Sequence, residues 1–366
     1  MKLQEELDHR TKPGDLVEKL EDQQVRCLAC AHRCLIKPGK RGICKIRFNR
    51  EGELMVPWGY VSSLQVDPIE KKPFYHFLAG ADALTFGMLG CNFRCDYCQN
   101  WLTSQALREE GSDHLADYLR NLTPEEMISY GINYQAEVVA SSYNEPLITS
   151  EWAYDVFHLA KERGMRTVYV SNGFATAEVL DYLRPVLDGF KVDLKTMQGK
   201  GYQALGGRLE PVLDSIRYAH DLGFWVEIVT LLVPGFNDSD QELGEMADFI
   251  RSVSVDIPWH ITAFHPDYKM QDRPPTSSAL ILRAVEIGYR AGLHYLYGGN
   301  LPGGLGKYEH THCHNCQALL IKRRGFFIQE YNLTSAGCCP KCGTRIPGVW
   351  LEHTPTKKPF PGFFQF

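Results

Sequence analysis

The stretch GCNFRCDYCQNW (90–101) places Cys91, Cys95 and Cys98 within eight residues. Tetrahedral zinc and ordinary iron–sulfur clusters take four protein ligands. Three thiolates at a three-then-two spacing can instead hold three irons of a [4Fe–4S] cube. The fourth iron is then left open to a small chelating molecule. A zinc knuckle with a distant fourth ligand is the other use of this spacing.

The remaining cysteines are clustered too. Of twelve in 366 residues, four lie at 27–44 and five at 313–342. The C-terminal set reads Cys313-x2-Cys316 and Cys339-x2-Cys342, with Cys338 alongside. Paired knuckles about twenty residues apart are a zinc-ribbon signal. LLIKRRGFF between them reads as a strand pair. Rubredoxin-like iron is the rival, and His310, His312 or His314 could replace a thiolate. Such a lobe needs its metal to fold, so its role is structural, or it docks a partner through Lys322, Arg323 and Arg324. The N-terminal set, Cys27, Cys30, Cys34 and Cys44, suits zinc or an auxiliary iron–sulfur cluster. His32 could substitute there, and redox thiols are a further option.

Clustering of this kind fits a reducing compartment, where disulfides are rare. The charged, helix-prone N-terminus has no apolar signal core. No apolar run approaches the roughly 18 residues of a membrane span. The expectation is a cytoplasmic protein without membrane contact. Hydrophobic content of 44% allows a sizeable core, and a net charge of −5 offers no basic field for nucleic acid.

Between about 83 and 300, β-branched apolar runs alternate with helical stretches. The runs are 83–89, 137–143, 166–172, 190–195, 225–233, 259–264 and 294–299. Thr123-Pro124-Glu125-Glu126 is a capping box, and Gly164, Gly223 and Gly292 close later helices. The alternation predicts an α/β fold: a partial or full (β/α) TIM-like barrel, with a flat doubly wound sheet as the alternative. Small cysteine-rich metal modules flank it. The expected division is 1–80, an N-terminal segment with the four-cysteine module and linker; 81–305, the barrel; and 306–366, a zinc-ribbon-like module and an extended tail. In a barrel the three-cysteine loop follows strand one, at the catalytic end.

Cysteines at that spacing on that loop resemble the signature of radical S-adenosylmethionine (SAM) enzymes. The resemblance implies that the open iron chelates the amino and carboxylate groups of SAM. Reductive cleavage then gives methionine and a 5′-deoxyadenosyl radical. It also implies roles along the chain. Tyr97 lies against the adenine. In SSYNEP (141–146), Asn144 and Glu145 stand where the family holds the SAM amino group, although Tyr143 and Asn144 replace two glycines. Ser171 and Asn172 in VSNGF face the ribose or methionine. Asp193 and Lys195 in KVDLK resemble the Asp-Leu-Lys of glycyl-radical activating enzymes and face the SAM carboxylate. Val170 replaces the acidic residue those enzymes use for a monovalent cation, so that site is not carried over. LLVPGFND (231–238) resembles the strand-five turn of the same group. His265 in HITAFHPDYKM matches a ribose contact, and Asp267, Tyr268 and Lys269 would line the substrate side.

The whole chain is similar to the AmmeMemoRadiSam system radical SAM enzymes, through CLACAHRC, DPIEKKPFYHFLAG (67–80), WHITAFHPDYKM and CCPKCGTRIPGVW. That resemblance implies functional association with AMMECR-type and Memo-type proteins. A flavodoxin- or ferredoxin-type donor would reduce the cluster, and DPIEKKPFYHFLAG would cover the barrel mouth, with Lys71 and Lys72 reaching an anionic group. The expected activity is hydrogen abstraction from a small-molecule substrate. Installing a radical on a partner protein, modifying RNA, and serving as a non-catalytic metal-binding scaffold are the alternatives.

Overall fold

Strand–helix alternation produces one central sheet. The computed structural model describes residues 2–352 and 355, so the expected extended tail lies outside the described residues. The sheet has eight strands: β1 (Ser63–Pro68), β2 (Asp82–Gly87), β3 (Val138–Ser141), β4 (Arg166–Ser171), β5 (Gly189–Asp193), β6 (Trp225–Leu232), β7 (Trp259–Ala263) and β8 (Leu296–Gly299). They lie side by side in sequence order. Strands β2 to β8 run parallel, and β1 pairs antiparallel with β2. A doubly wound sheet would reverse its order at a switch point, so this is the barrel-type winding. Among the described residues β1 and β8 do not pair, which makes the barrel partial. All seven expected runs are strands. β1 is an eighth, drawn from the segment assigned to 1–80.

The connecting helices are α1 (Pro124–Asn133), α2 (Ser150–Glu162), α3 (Ala177–Leu183), α4 (Gly199–Leu205), α5 (Leu209–Asp221), α6 (Asp240–Val253) and α7 (Ser278–Arg290). The capping box forms at α1: Glu126 N donates to Thr123 Oγ1, and Thr123 N donates to Glu126 Oε2 at 2.8 Å. Such a cap stabilises a helix by about 1 kcal/mol.

Successive side chains on a strand face opposite sides, and the core divides accordingly. Leu84, Phe86, Val139, Tyr169, Phe190, Val192 and Ile228 join Trp152, Val156 and Phe157 of α2 in the outer core. Their neighbours Ala83, Val138, Ala140 and Val168 face inward and pack on Ile69, Phe74, Phe77 and Leu78. Ala83, Val138 and Val168 belong to the first halves of their strands, and Ala140 to the middle of the short β3. The segment 69–81 is therefore a plug at the N-terminal end of the barrel, not a cover over its mouth. Its aromatic and aliphatic side chains drive it there, since Ile69, Phe74 and Phe77 are fully buried. A Cβ on Gly189, at the start of β5, would sit 3.3 Å from both Phe74 and Phe77 rings. Lys71 and Lys72 both pair with Asp67 at 3.0–3.1 Å.

The C-terminal lobe packs on this plug and on the start of β8. Tyr75, Tyr295 and Tyr297 share a core with Leu320, Ile321 and Ile346. Strands Leu319–Arg324 and Phe327–Tyr331 form the expected pair. Arg323 is not a docking residue, because it is buried inside the lobe–barrel junction. It donates to Tyr75 O and Thr311 Oγ1, and its Nε lies 3.6 Å from Glu70. Lys322 is exposed and paired with Glu330.

Burial raises the Glu70 carboxyl to about 7, against the opposing pull of Arg323. A raised acid pKa stabilises the fold fully below the unfolded value near 4.5 and loses that contribution as pH climbs through about 7. Glu70→Gln should remove this loss. Its stability relative to the parent should rise between pH 5 and 8, by on the order of 2 kcal/mol, in urea unfolding. A pH-independent difference would refute the assignment.

Candidate active site at the strand ends

The loop after β2 carries the three close-set cysteines and is tied down at successive residues. Asn92 O meets His32 Nε2 at 3.0 Å. Asn92 Oδ1 accepts from Asn172 Nδ2 at 2.7 Å. Phe93 O accepts from Arg108 Nη1 at 2.8 Å, and Cys91 O accepts from Arg108 Nη2 at 2.9 Å. Arg94 N donates to Leu205 O at the end of α4, and Lys269 N donates to Asp96 O. Arg108 and Asn92 hold the loop, yet neither was legible in sequence, since a lone Arg or Asn carries no spacing signal.

The first half of the cleft is built at the ends of β3 and β4. Glu145 Oε1 accepts from Ser171 Oγ at 2.7 Å and from Leu147 N at 3.1 Å, and Oε2 accepts from Asn172 N at 2.8 Å. It thereby caps the short turn Pro146–Thr149 and joins the two strands. Burial pushes its carboxyl up to about 7, against these three donors. Asn144 Oδ1 accepts from Met88 N at 3.0 Å and ties β3 to β2. Tyr143 adopts φ +68°, the left-handed region that glycine enters without cost. Tyr143 thus holds, with a bulky side chain, a backbone conformation that glycine would take without strain. Gly87 opposite allows it: a Cβ there would lie 2.7 Å from Ser142 O.

The second half lies at the end of β5. Lys191, Asp193 and Lys195 alternate and so share the inner face. Asp193 bonds Lys191 and, at 3.2 Å, Lys195. Burial alone would raise the Asp193 carboxyl, but the two ammonium groups overcome it and hold it at about 2. Burial alone would likewise favour neutral Lys195, yet Asp193 keeps it well above the usual lysine range. Lys191 was not singled out from sequence, although the period-two spacing in KVDLK is the signal that finds it. Cys95 and Tyr97 lie within electrostatic range of Lys195 and Asp193, and Cys91 within that of Glu145. Tyr97 packs on Phe236, with ring centroids 5.9 Å apart. The fold thus brings Cys91, Cys95, Tyr97, Glu145, Asp193 and Lys195 to one cleft at the C-terminal strand ends.

Not every expected residue joins it. His265 is exposed on the loop after β7, and its Nδ1 lies 3.4 Å from Pro266 O. Tyr268 stacks on Trp101 with centroids 5.3 Å apart, and Tyr268 and Lys269 both bond Glu109. These residues clamp the flank of the cysteine loop.

The pattern of the Radical SAM superfamily matches residues 86–250, the region that holds this cleft. The chain belongs to the radical SAM superfamily. It is 40% identical to an uncharacterized protein of Methanocaldococcus jannaschii, over 90% of this chain and 97% of the other. It is 25% identical to a putative glycyl-radical enzyme activating enzyme of the same organism, over 57% of this chain and 78% of that one. It is 24% identical to the pyruvate formate-lyase-activating enzyme of Clostridium pasteurianum, over 50% and 80%. As a radical SAM enzyme it takes a [4Fe–4S] cluster and SAM.

The donor sets of this radical SAM enzyme divide by spacing. Cys313, Cys316, Cys339 and Cys342 gather with all sulfurs within 4.8 Å of one another. The Cys313–Cys342 and Cys316–Cys339 separations are each 3.6 Å. Metal–sulfur bonds near 2.3 Å in a tetrahedron require about 3.8 Å, so the quartet fits one tetrahedral ion. Cys338 points away, toward Ala336 O. His310 and His314 are engaged elsewhere, with Arg323 N and Tyr295 OH. Among the described residues the loop cysteines do not gather to single-ion spacing. Cys91, Cys95 and Cys98 lie within electrostatic range of one another, so the three thiols fit a cube that takes one thiolate on each of three irons. Among the described residues no helix is long and apolar enough to cross a membrane.

Proposed function

We propose that Cys91, Cys95 and Cys98 hold the [4Fe–4S] cluster, and that the enzyme abstracts hydrogen from a small-molecule substrate in the cleft above β3 to β7. The observation that carries this reading is the convergence of Cys91 and Cys95 with Glu145, Asp193 and Lys195 at the C-terminal strand ends. When bound, the cluster with SAM supplies one-electron cleavage to a 5′-deoxyadenosyl radical. The chain's own residues orient SAM and exclude water. Glu145 and Asn144 face its amino group, and the Lys195 ammonium offsets its carboxylate. Ser171 and Asn172 take the ribose and methionine parts, and Tyr97 lies against the adenine. Arg108 holds the cysteine loop in place. The plug of residues 69–81 seals the barrel floor, which protects a radical from solvent.

The C-terminal quartet holds zinc in a structural role. A flavodoxin- or ferredoxin-type protein supplies electrons in the cytoplasm, and AMMECR-type and Memo-type proteins act in the same process. The second reading is a partner protein as substrate. The relatives described as activating enzymes favour it.

The test is anaerobic reconstitution with iron and sulfide, then dithionite and SAM, with 5′-deoxyadenosine read by mass spectrometry. The product should form and fall to background in Cys91→Ala/Cys95→Ala/Cys98→Ala. A fully reconstituted, reduced enzyme that yields none, even with AMMECR-type and Memo-type proteins added, overturns the reading.

A further inference from the structure

The N-terminal quartet lies against the active-site loop and uses none of the chemistry above. Cys27, Cys30 and Cys44 are buried, and Cys34 is half-buried. All four line one cavity, together with Arg47 and Asn92. The chain folds to bring them there. Cys27 ends the strand Val25–Cys27, and its N donates to Cys34 O across the hairpin. Ile43 N approaches Cys34 Sγ at 3.5 Å, which places the Cys44 turn over the same space.

Two side chains in that wall carry donors that have no hydrogen-bond partner of normal length among the described residues. Arg47 is 1% exposed; its Nη2 bonds Glu151, while Nε and Nη1 have no partner. Asn92 is also 1% exposed, and its Nδ2 has none. A buried donor without an acceptor loses its hydration with no bond in return, and native structures rarely keep several together. Three such donor nitrogens beside four thiols call for an anionic acceptor centred among the sulfurs. Thiolates and bridging sulfides of a metal centre supply it.

Spacing selects the kind of centre. The C-terminal quartet has drawn together to single-ion distances. Among the described residues no three N-terminal sulfurs gather within 4.8 Å. Four thiolates spread around a buried space, each bonded to a different iron, are the ligand set of a complete four-iron cube. The rest of the wall is Ala29, Ile36, Gly42, Ile43 and Ile148, together with His32, whose Nε2 is engaged by Asn92 O.

We propose that Cys27, Cys30, Cys34 and Cys44 bind a second [4Fe–4S] cluster, hydrogen-bonded by Arg47 and Asn92. With four protein ligands it has no open iron and does not bind SAM. Asn92 adjoins Cys91, so one residue links the two sites.

The experiment is metal and sulfide analysis of anaerobically reconstituted full-length protein, with Mössbauer spectroscopy. The variant Cys91→Ala/Cys95→Ala/Cys98→Ala leaves the N-terminal quartet intact. It should retain about four irons and four sulfides per chain, in a cluster whose spectrum does not change on adding SAM. The parent should hold about twice as much. Cys30→Ala/Cys44→Ala should keep only the SAM-responsive cluster. If that variant does not fold, the triple variant decides alone. A triple variant with no sulfide and an extra zinc, or one iron without sulfide, overturns the proposal. Failure of the active-site reading looks different: the triple variant would then match the parent in iron.

Discussion

Stripping the metal from the C-terminal quartet should unravel residues 311–351 and leave the barrel folded. The lobe is built around two knuckles. Cys313 N donates to Ala318 O in one, and Cys339 N donates to Thr344 O in the other. Between them lies a small core of Leu320, Ile321, Leu333 and Ile346. That core is too small to offset the conformational entropy of some forty residues. In small domains a structural zinc contributes about 10–16 kcal/mol of folding free energy. Here the Arg323 junction with Tyr75 retains part of the contact when the metal leaves. Hydrogen bonding with Thr344 holds the Cys342 thiol down at about 6, so it is ready to ligate at neutral pH.

Trp350 reports the event. Its Nε1 donates to Ile346 O at 2.8 Å, its ring lies 5.1 Å from His76, and Gly337 and Gly348 press on it. Chelation, or Cys339→Ala, should red-shift tryptophan fluorescence and open 311–351 to protease. Helical circular dichroism of the barrel should persist. Full metal loss with unchanged fluorescence and protease resistance would show that the lobe stands on its own core.

How far the sequence carried these conclusions depended on spacing. Strand positions were legible because parallel strands with both faces covered are near-continuous apolar runs, and seven such runs became β2 to β8. Helix ends were legible where capping chemistry marks them, as at Thr123 and Gly164. The direction in which DPIEKKPFYHFLAG faces was not. Two lysines suggested a solvent-facing cover, whereas the fold is decided by Phe74 and Phe77, which have nowhere else to bury their rings. The same limit applied to Arg323, read as part of a basic docking surface. Only tertiary contact shows that it is buried among Glu70 and Tyr75 of the plug and Thr311 of its own lobe. Within the site, residues on strand ends were found because period two and the strand termini fix where they point. Arg108 and Asn92 act from the loop, and no period announces them.

The alternation at β5 gives the second large effect. Asp193→Asn should destabilise the protein by about 3 kcal/mol, the lower end of the range for a broken buried pair. The lower end applies because 32% of the Asp193 side chain is exposed, while Lys191 is 6% exposed. The substitution leaves two ammonium groups on one inner face without their shared counter-charge. Adding Lys191→Met should recover part of the loss, since a non-additive cycle is the mark of direct coupling. The pH dependence has a definite sign. A carboxyl depressed to about 2 stabilises the fold fully above its unfolded value near 3.8 and loses that contribution as pH falls through 2. The gap between parent and Asp193→Asn should therefore be constant from pH 6 to 8 and shrink below about pH 4. Lys195→Met separates stability from function. It should fold with its iron content intact but bind SAM about tenfold to a hundredfold more weakly, the worth of one charge-assisted hydrogen bond. Additive effects of Asp193→Asn and Lys191→Met would show that these two side chains are not coupled, and undiminished SAM affinity in Lys195→Met would show that Lys195 is not part of the wall of the site.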